Sequence, residues 1–332
     1  MRRSRQLPGI GVILIDVLAI GLALNVYALF HHVLPERGGG LNQSIVAFDG
    51  ETPAPASTPA PQDEAAAAAS TPVPSPTPSP TPAPGDFSAV FPDYDTSEGV
   101  DALYSYQSSD KRIVVYSDKV DEATYYVADV WIRNIQSYKT GFAGGEFARG
   151  VYDSTLDIAA ENGAFVAISG DYYGSRREGL VIRNGVLYRE SVNSDVCILY
   201  ADGVMESYYQ GEFDLEAAIA RGAYQSWSFG PKLLDNGQAP EIYQKDDISG
   251  RHPRAAIGYF EPGHYCLVVV DGRQSDYSRG MNFKQLSELF ISLGCQDAYN
   301  LDGGQTAVMV CDGEVVNRPY KNGRDVSDIV YF

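Results

Sequence analysis

Cysteine and histidine are scarce in this chain. Cys197, Cys266, Cys295 and Cys311 are its four cysteines; no two form a CxxC pair, so neither a disulfide framework nor a cysteine-ligated zinc site is expected. His252 and His264 are the two histidines outside the N-terminal apolar run, and their spacing is not that of metal ligands. Positive charge is also thin, with 25 Lys and Arg against 43 Asp and Glu and a formal net charge of -18. A surface that acidic repels phosphate backbones, which excludes nucleic acid as the expected partner. Nucleotide-sugar motifs and internal repeats are absent as well. The fold must therefore rest on apolar burial, for which 44% apolar residues in 332 are ample. Among the aromatics, 23 are Tyr, which suits packing in strands or stacking against sugars.

Between Arg5 and Glu36 the only charged residue is Asp16, and Ile10 to Leu34 exceeds the ~20 apolar residues that a bilayer core requires. With Arg2, Arg3 and Arg5 before it, this run predicts an uncleaved transmembrane anchor with a cytoplasmic N-terminus and everything after Leu34 outside the cell. Residues 1–35 are thus expected to be a cytoplasmic tip and anchor. Eleven of the nineteen prolines fall between Glu51 and Gly85, so residues 36–90 are expected to be a disordered Pro/Thr/Ala-rich stalk. Residues 91–332 are expected to fold.

Within that part, the turns Asn184-Gly185 and Asp202-Gly203, each flanked by apolar runs, predict two-residue hairpins. Asn282 with Gln285 forms a capping box ahead of an apolar stripe ending at Gly294, and a second helix is expected from Asp214 to Arg221. Many short strands with few helices predict an α+β domain on a mixed, largely antiparallel β-sheet.

Several segments place a polar group where an apolar run stops, which holds side chains on a rigid edge. Phe165 to Ser169 runs into Gly170-Asp171, Tyr265 to Val270 into Asp271 and then Arg273, and Ala298-Tyr299 into Asn300-Leu301-Asp302-Gly303-Gly304 with Gln305 and Thr306 beyond. Glycines there let a ligand approach the backbone, and the Asn-Leu-Asp-Gly-Gly turn can turn backbone N–H groups toward an anion. Pro253 forces His252 to be extended, so that Arg254 leads into the strand Ala255 to Tyr259. A guanidinium in that position can grip two phosphate oxygens. The acidic cluster Asp95, Glu98 and Asp101 reads as a solvated loop rather than a Ca²⁺ site. No cofactor is expected, a structural divalent cation being the open alternative.

In order, Ser169-Gly-Asp-Tyr172, Phe229-Gly-Pro231, His252-Pro-Arg-Ala-Ala-Ile-Gly258, Val270-Asp-Gly-Arg273 and Asn300-Leu-Asp-Gly-Gly304 resemble the phosphodiester glycosidase family. The resemblance runs from about Lys111 to Phe332 and includes a tail from Asn317-Arg-Pro319 to Arg324-Asp-Val-Ser-Asp328. Two departures stand out: Ser169 where the family usually has Asn, and Gln305-Thr306-Ala307 where it has a third Gly followed by Ser and Ser or Thr. The resemblance implies hydrolysis of a sugar-1-phosphodiester at the anomeric carbon. Carboxylates suit an oxocarbenium-like sugar and arginines suit an anion. This gives Asp302, Asp271 and Asp171 as catalytic candidates, Asp302 nearest the reacting carbon. Arg254, Arg273, Asn300, Gly303, Gly304, Thr306 and Gly170 are candidates for binding substrate, with Arg254 or Arg273 as phosphate clamp. The expected partner is a sugar phosphate or cell-surface glycan. Alternatives are a non-catalytic surface module that binds sugar phosphates or wall polymer, and a role in exopolysaccharide assembly; an enzyme needs the aspartates and arginines to converge, a module does not.

Overall fold

The computed structural model of the chain describes residues 39–48, 85–241 and 250–332, with the backbone of residues 36–37 and the isolated residues Ile20 and Leu22. The expected anchor over residues 10–34, those two residues apart, and the Pro-rich stretch lie outside the described residues. No helix among the described residues is long and apolar enough to cross a membrane.

The strands, in chain order, are β1 (Glu36–Arg37), β2 (Gln43–Ser44), β3 (Tyr104–Gln107), β4 (Lys111–Val120), β5 (Ala123–Ile132), β6 (Lys139–Phe142), β7 (Ala148–Arg149), β8 (Val166–Ser169), β9 (Val181–Arg183) and β10 (Val186–Arg189). They continue as β11 (Val196–Tyr200), β12 (Met205–Tyr208), β13 (Ala223–Trp227), β14 (Lys232–Leu234), β15 (Arg254–Glu261), β16 (His264–Val270), β17 (Asp297–Asn300), β18 (Met309–Cys311), β19 (Glu314–Val315) and β20 (Asp328–Tyr331). Three α-helices occur among the described residues: α1 (Thr155–Glu161), α2 (Leu215–Arg221) and α3 (Phe283–Leu293).

Two sheets dominate, one of seven strands in the order β14-β17-β15-β16-β5-β4-β3 and one of five in the order β19-β18-β8-β20-β6. Side chains alternate across them. In β16, Tyr265, Leu267 and Val269 join Val166 and Ile168 of β8 in the central core, while Cys266, Val268 and Val270 turn outward to meet Leu286, Leu289 and Phe290 of α3. Ala167 faces the other way from Val166 and packs with Ile158 of α1. The order of layers is therefore α3, seven-stranded sheet, five-stranded sheet, α1. Each fully buried aliphatic or Phe side chain contributes roughly 1.5–3 kcal/mol to holding them together.

Local chemistry explains the boundaries. Asn282 and Gln285 form the expected capping box and Gly294 closes α3 in the left-handed region. Asp214 caps α2 and Gly222 ends it. Ser154 caps α1 by accepting from the Asp157 amide, a short helix whose seven residues carry too little periodicity to be read from sequence.

Three expectations change. Every strand pairing among the described residues is antiparallel, so the sheets are not mixed. Phe87 is buried in the central core and the Gly85 carbonyl accepts from the Ile135 amide, so ordered packing begins upstream of residue 91. Residues expected in the stalk also dock: β1 pairs with β7 and β2 with β10, and Phe48 packs edge-on against Tyr224. These contacts come from backbone pairing and single apolar anchors, which composition does not reveal.

Candidate active site

Three strand ends meet at one edge of the sandwich: the C-terminal ends of β8 and β17 and the start of β20. Backbone contacts lock them. The Asp302 amide donates to the Gly170 carbonyl at 2.9 Å, and the Ser169 hydroxyl donates to the Asp302 carbonyl at 2.8 Å. Gly170 is required because a Cβ there would drive into the Asp328 carboxylate, and Gly303 because a Cβ would lie 2.8 Å from the Pro253 carbonyl oxygen. Ser169 thus uses its hydroxyl to fix the backbone of the neighbouring turn.

Beneath this edge lies a buried ion cluster. Arg183, 1% exposed, reaches Asp171 Oδ1 at 2.9 Å and Asp328 Oδ2 at 2.8 Å through Nη2, and Asp328 again through Nε at 3.0 Å. Burial opposes its charge, but the two carboxylates outweigh burial and hold the guanidinium firmly protonated. Asp328 is raised above the usual carboxylate range by burial, against the pull of Arg183. The Asp171 oxygens also accept from the Tyr173 and Ser228 amides at 3.2 and 3.0 Å. The cluster fixes the geometry of the edge, and its acceptors are occupied.

Asp302 is the carboxylate of this edge that pairs with a half-exposed arginine. It is 8% exposed, and burial pushes its carboxyl up to about 6, with Arg324, Thr306 and Arg176 pulling down and Asp171 pushing up. Arg324 Nη2 stands 3.4 Å from Asp302 Oδ2 and is itself half exposed. Tyr172, in the left-handed region at φ 66°, has the Arg324 and Arg176 guanidiniums 5.6 and 5.8 Å from its ring centre. On the other flank the exposed Arg273 lies against Gly304, with Nη2 3.5 Å from His252 Nδ1. Thr306 is buried, its hydroxyl donating to the Gly303 carbonyl at 2.8 Å. Gln305 donates to the Gly323 carbonyl at 2.8 Å, tying the Asp302 turn to the loop that carries Arg324. In an acidic molecule, Arg324 and Arg176 beside this buried carboxylate, with Arg273 against the neighbouring Gly304, concentrate positive charge at one edge.

The other sequence candidates separate from this group. Asp271, 1% exposed, spends its carboxylate on Asn317 at 2.7 Å, the Arg318 amide at 2.9 Å and Tyr277 at 3.0 Å. Burial raises its carboxyl despite these donors. It therefore pins the 271–280 and 317–318 loops together, its oxygens accepting from these donors. Arg254, 8% exposed, donates to the carbonyls of Met281 at 2.9 Å and Gly250 at 3.3 Å and lies over the Phe283 ring at 4.1 Å. Buried among carbonyls and an aromatic face, it braces the segments that carry Gly250 and Met281. Asn300 gives Nδ2 to the Gly230 and Leu301 carbonyls at 2.8 and 3.1 Å, and its buried Oδ1 has no hydrogen-bond partner among the described residues. Asp95, of the acidic loop, caps its own turn by accepting from the Ser97 amide and hydroxyl.

Sequence reasoning missed Arg183, Asp328, Arg176 and Arg324 as site residues. A signal existed for two of them, since the tail from Arg324 to Asp328 carries part of the family pattern and Asp328 opens an apolar strand. Arg183 sits just inside a hairpin turn, where a charged residue ordinarily faces water.

A family model for phosphodiester glycosidases matches residues 158–332, which include every residue of this edge. The SPbeta prophage-derived uncharacterized protein YomE of Bacillus subtilis (strain 168) is 33% identical over 175 residues, 50% of this chain and 27% of that protein. The N-acetylglucosamine-1-phosphodiester alpha-N-acetylglucosaminidase of Bos taurus is 32% identical over 72 residues, 22% of this chain and 13% of that protein. The aligned part of the chain thus spans well under a third of either relative. In three dimensions the chain is similar to the catalytic domain of the zebrafish N-acetylglucosamine-1-phosphodiester alpha-N-acetylglucosaminidase, solved in a form auto-inhibited by its pro-peptide, with a TM-score of 0.53 over 74% of this chain and 92% of that one; at 20% identity this likeness shows the fold. With the family pattern extending over more than half its length, the chain belongs to the phosphodiester glycosidase family.

Proposed function

We propose that this protein hydrolyses a sugar-1-phosphodiester at the anomeric carbon, releasing free sugar and a phosphomonoester. The observation that carries the reading is Asp302, a buried carboxyl raised to about 6 with the Arg324 guanidinium 3.4 Å away. An anionic diester would be held by Arg324, Arg273 and Arg176, whose charge is spread around the rim of the site. Its sugar is then brought against Asp302, whose carboxylate stabilises positive charge developing at the anomeric carbon. Water adds to that carbon as the bond to the phosphate oxygen breaks, and the proton released by water passes to Asp302 and then to solvent. The leaving phosphomonoester, with a second pKa near ~6, departs at neutral pH with little need of a proton. Arg183 with Asp171 and Asp328 keeps the edge rigid while Asp302 works.

This activity fits the family and the name of the Bos taurus relative; the anomeric cleavage, the extracytoplasmic location and the anchor over residues 10–34 are part of the proposal. The test is a screen of sugar-1-phosphodiesters against the full chain, reading both reducing sugar and phosphomonoester. Equimolar release of the two supports the reading. Binding without release across the screen would instead favour a surface module.

A further inference from the structure

The phosphodiester has two arms, and a second cleft begins where the first site ends. It has a volume of about 500 Å³; its apolar wall is Leu156, Val308, Val315 and Pro319, and the rest of its lining is polar, with Arg318 and Arg324 against the single acid Asp325. Arg324 is common to both places: one side of its guanidinium meets Asp302, and the residue also borders this cleft. Gln305 holds the intervening loop in place through the Gly323 carbonyl. Val315 lies at the end of β19 with 41% of its surface exposed, an aliphatic group left open on the cleft wall.

Building on the hydrolase reading above, we propose that this cleft is the aglycone subsite and that the aglycone it takes is alkyl-bodied. A phosphate gripped by Arg324 stands between the sugar at Asp302 and the cleft, so its second ester oxygen points toward the aliphatic walls. Arg318, stacked over the Tyr277 ring, and Arg324 outweigh Asp325 and leave the cleft lining net positive. The walls decide the class. A second sugar ring is ordinarily held by aromatic faces, and no Phe, Tyr or Trp lines this cleft among the described residues. Aliphatic walls with cations at one end suit a hydrocarbon chain carrying a phosphate head.

The experiment uses the full chain with methyl, butyl and hexyl esters of N-acetylglucosamine 1-phosphate, and calorimetric titration with methyl, butyl and hexyl phosphate as turnover-free probes. Each buried methylene is worth ~0.8 kcal/mol, so kcat/KM and phosphate affinity should each rise about fourfold per added methylene until the cleft is filled. Val315→Glu, a change at an exposed position that spares the core, should flatten both slopes, because a carboxylate then faces the chain. Hydrolysis with kcat/KM equal across the three esters would overturn the subsite while leaving the hydrolase reading intact. Absence of hydrolysis from all three, with alkyl phosphates binding equally, would overturn both. A rising affinity series without hydrolysis would support the subsite and remove the hydrolase reading. A steep slope unchanged in Val315→Glu would place the alkyl chain elsewhere and overturn the assignment.

Discussion

The two ends of β17 carry buried aspartates that differ in everything except their burial. At the start of the strand, Asp297 is 6% exposed and its carboxyl is pushed up to about 8 by burial, against the Ser207 donors and the Lys232 charge. Two residues past the end, Asp302 is raised to about 6 for the same leading reason. Asp297 is closed off by the Ser207 amide and hydroxyl, while Lys232 is spent on the Ser207 carbonyl at 2.9 Å and Asp235 at 2.8 Å. The cleft beside it, about 540 Å³, is lined by Glu206, Glu212 and Asp235. Asp302 has Arg324, Arg176 and Arg273 around it. A perturbed carboxyl and a large cleft therefore do not mark the reactive end by themselves; the sign of the surrounding charge decides where an anionic diester can enter.

The sharpest way to break this comparison is to remove each charge in turn. Asp302→Asn should lower kcat on a sugar-1-phosphodiester by about 10³-fold or more with no loss of melting temperature, since the amide keeps the shape and removes a charge that burial disfavours. Asp297→Asn should keep kcat/KM within about threefold. If Asp297→Asn were the silent enzyme, the ends would have to be exchanged.

Arg183→Met probes what holds the Asp302 edge in register. It leaves Asp171 and Asp328 buried without their cation, a loss on the order of 3–5 kcal/mol, which thermal melting at pH 7 should read as a fall of about 10 °C or more. A melt within 2 °C of the parent would show that the cluster is not structural.

Capture of the anion is the next effect in size. Arg324→Ala should raise KM about 10- to 100-fold, from loss of a charged hydrogen bond worth roughly 1.5–3 kcal/mol, whereas Arg254→Ala should leave KM within about threefold and lower the melting temperature instead. Equal KM effects would return Arg254 to the clamp.

A further effect concerns stability against pH. The Asp297 carboxyl is raised in the folded state, so between about 4 and 8 the folded chain holds a proton that the unfolded chain releases. Stability from this group is full at low pH and declines as pH rises through that window. Asp297→Asn should therefore melt higher than the parent at pH 8.5 and similarly at pH 4; a variant that melts lower at pH 8.5 would contradict the shift.

Much of this was legible in the sequence because it is local. The Asn282 capping box, the Asp214 cap and the two-residue turn at Asn184-Gly185 each depend on a few adjacent residues, and Asp302 is presented by the turn that its own glycines predict, whereas the turn at Asp202-Gly203 closes with three residues, Ala201 to Gly203, and not the two expected. What was hidden depends on distant residues meeting. Asp271 and Arg254 have the right chemistry at strand ends, yet their partners, Asn317 and Met281, lie 46 and 27 residues away and absorb them into loop anchoring. Arg183 and Asp328 are 145 residues apart, and nothing in the spacing says they are a pair. Docking of residues 39–48 onto β10 is likewise a long-range contact, invisible to composition.

The central claim, that the Asp302 carboxylate beside Arg324 does the chemistry, is tested most directly by the pH dependence of kcat/KM in the parent, Arg324→Ala and Asp297→Asn. The diester does not titrate in this range, so the parent should lose activity as pH falls through about 6, where Asp302 takes up a proton. Removing the Arg324 charge that lowers the Asp302 carboxyl should move that limb to higher pH, and Asp297→Asn should leave it where it is. An acid limb unmoved in Arg324→Ala, or one that shifts in Asp297→Asn, would contradict the account.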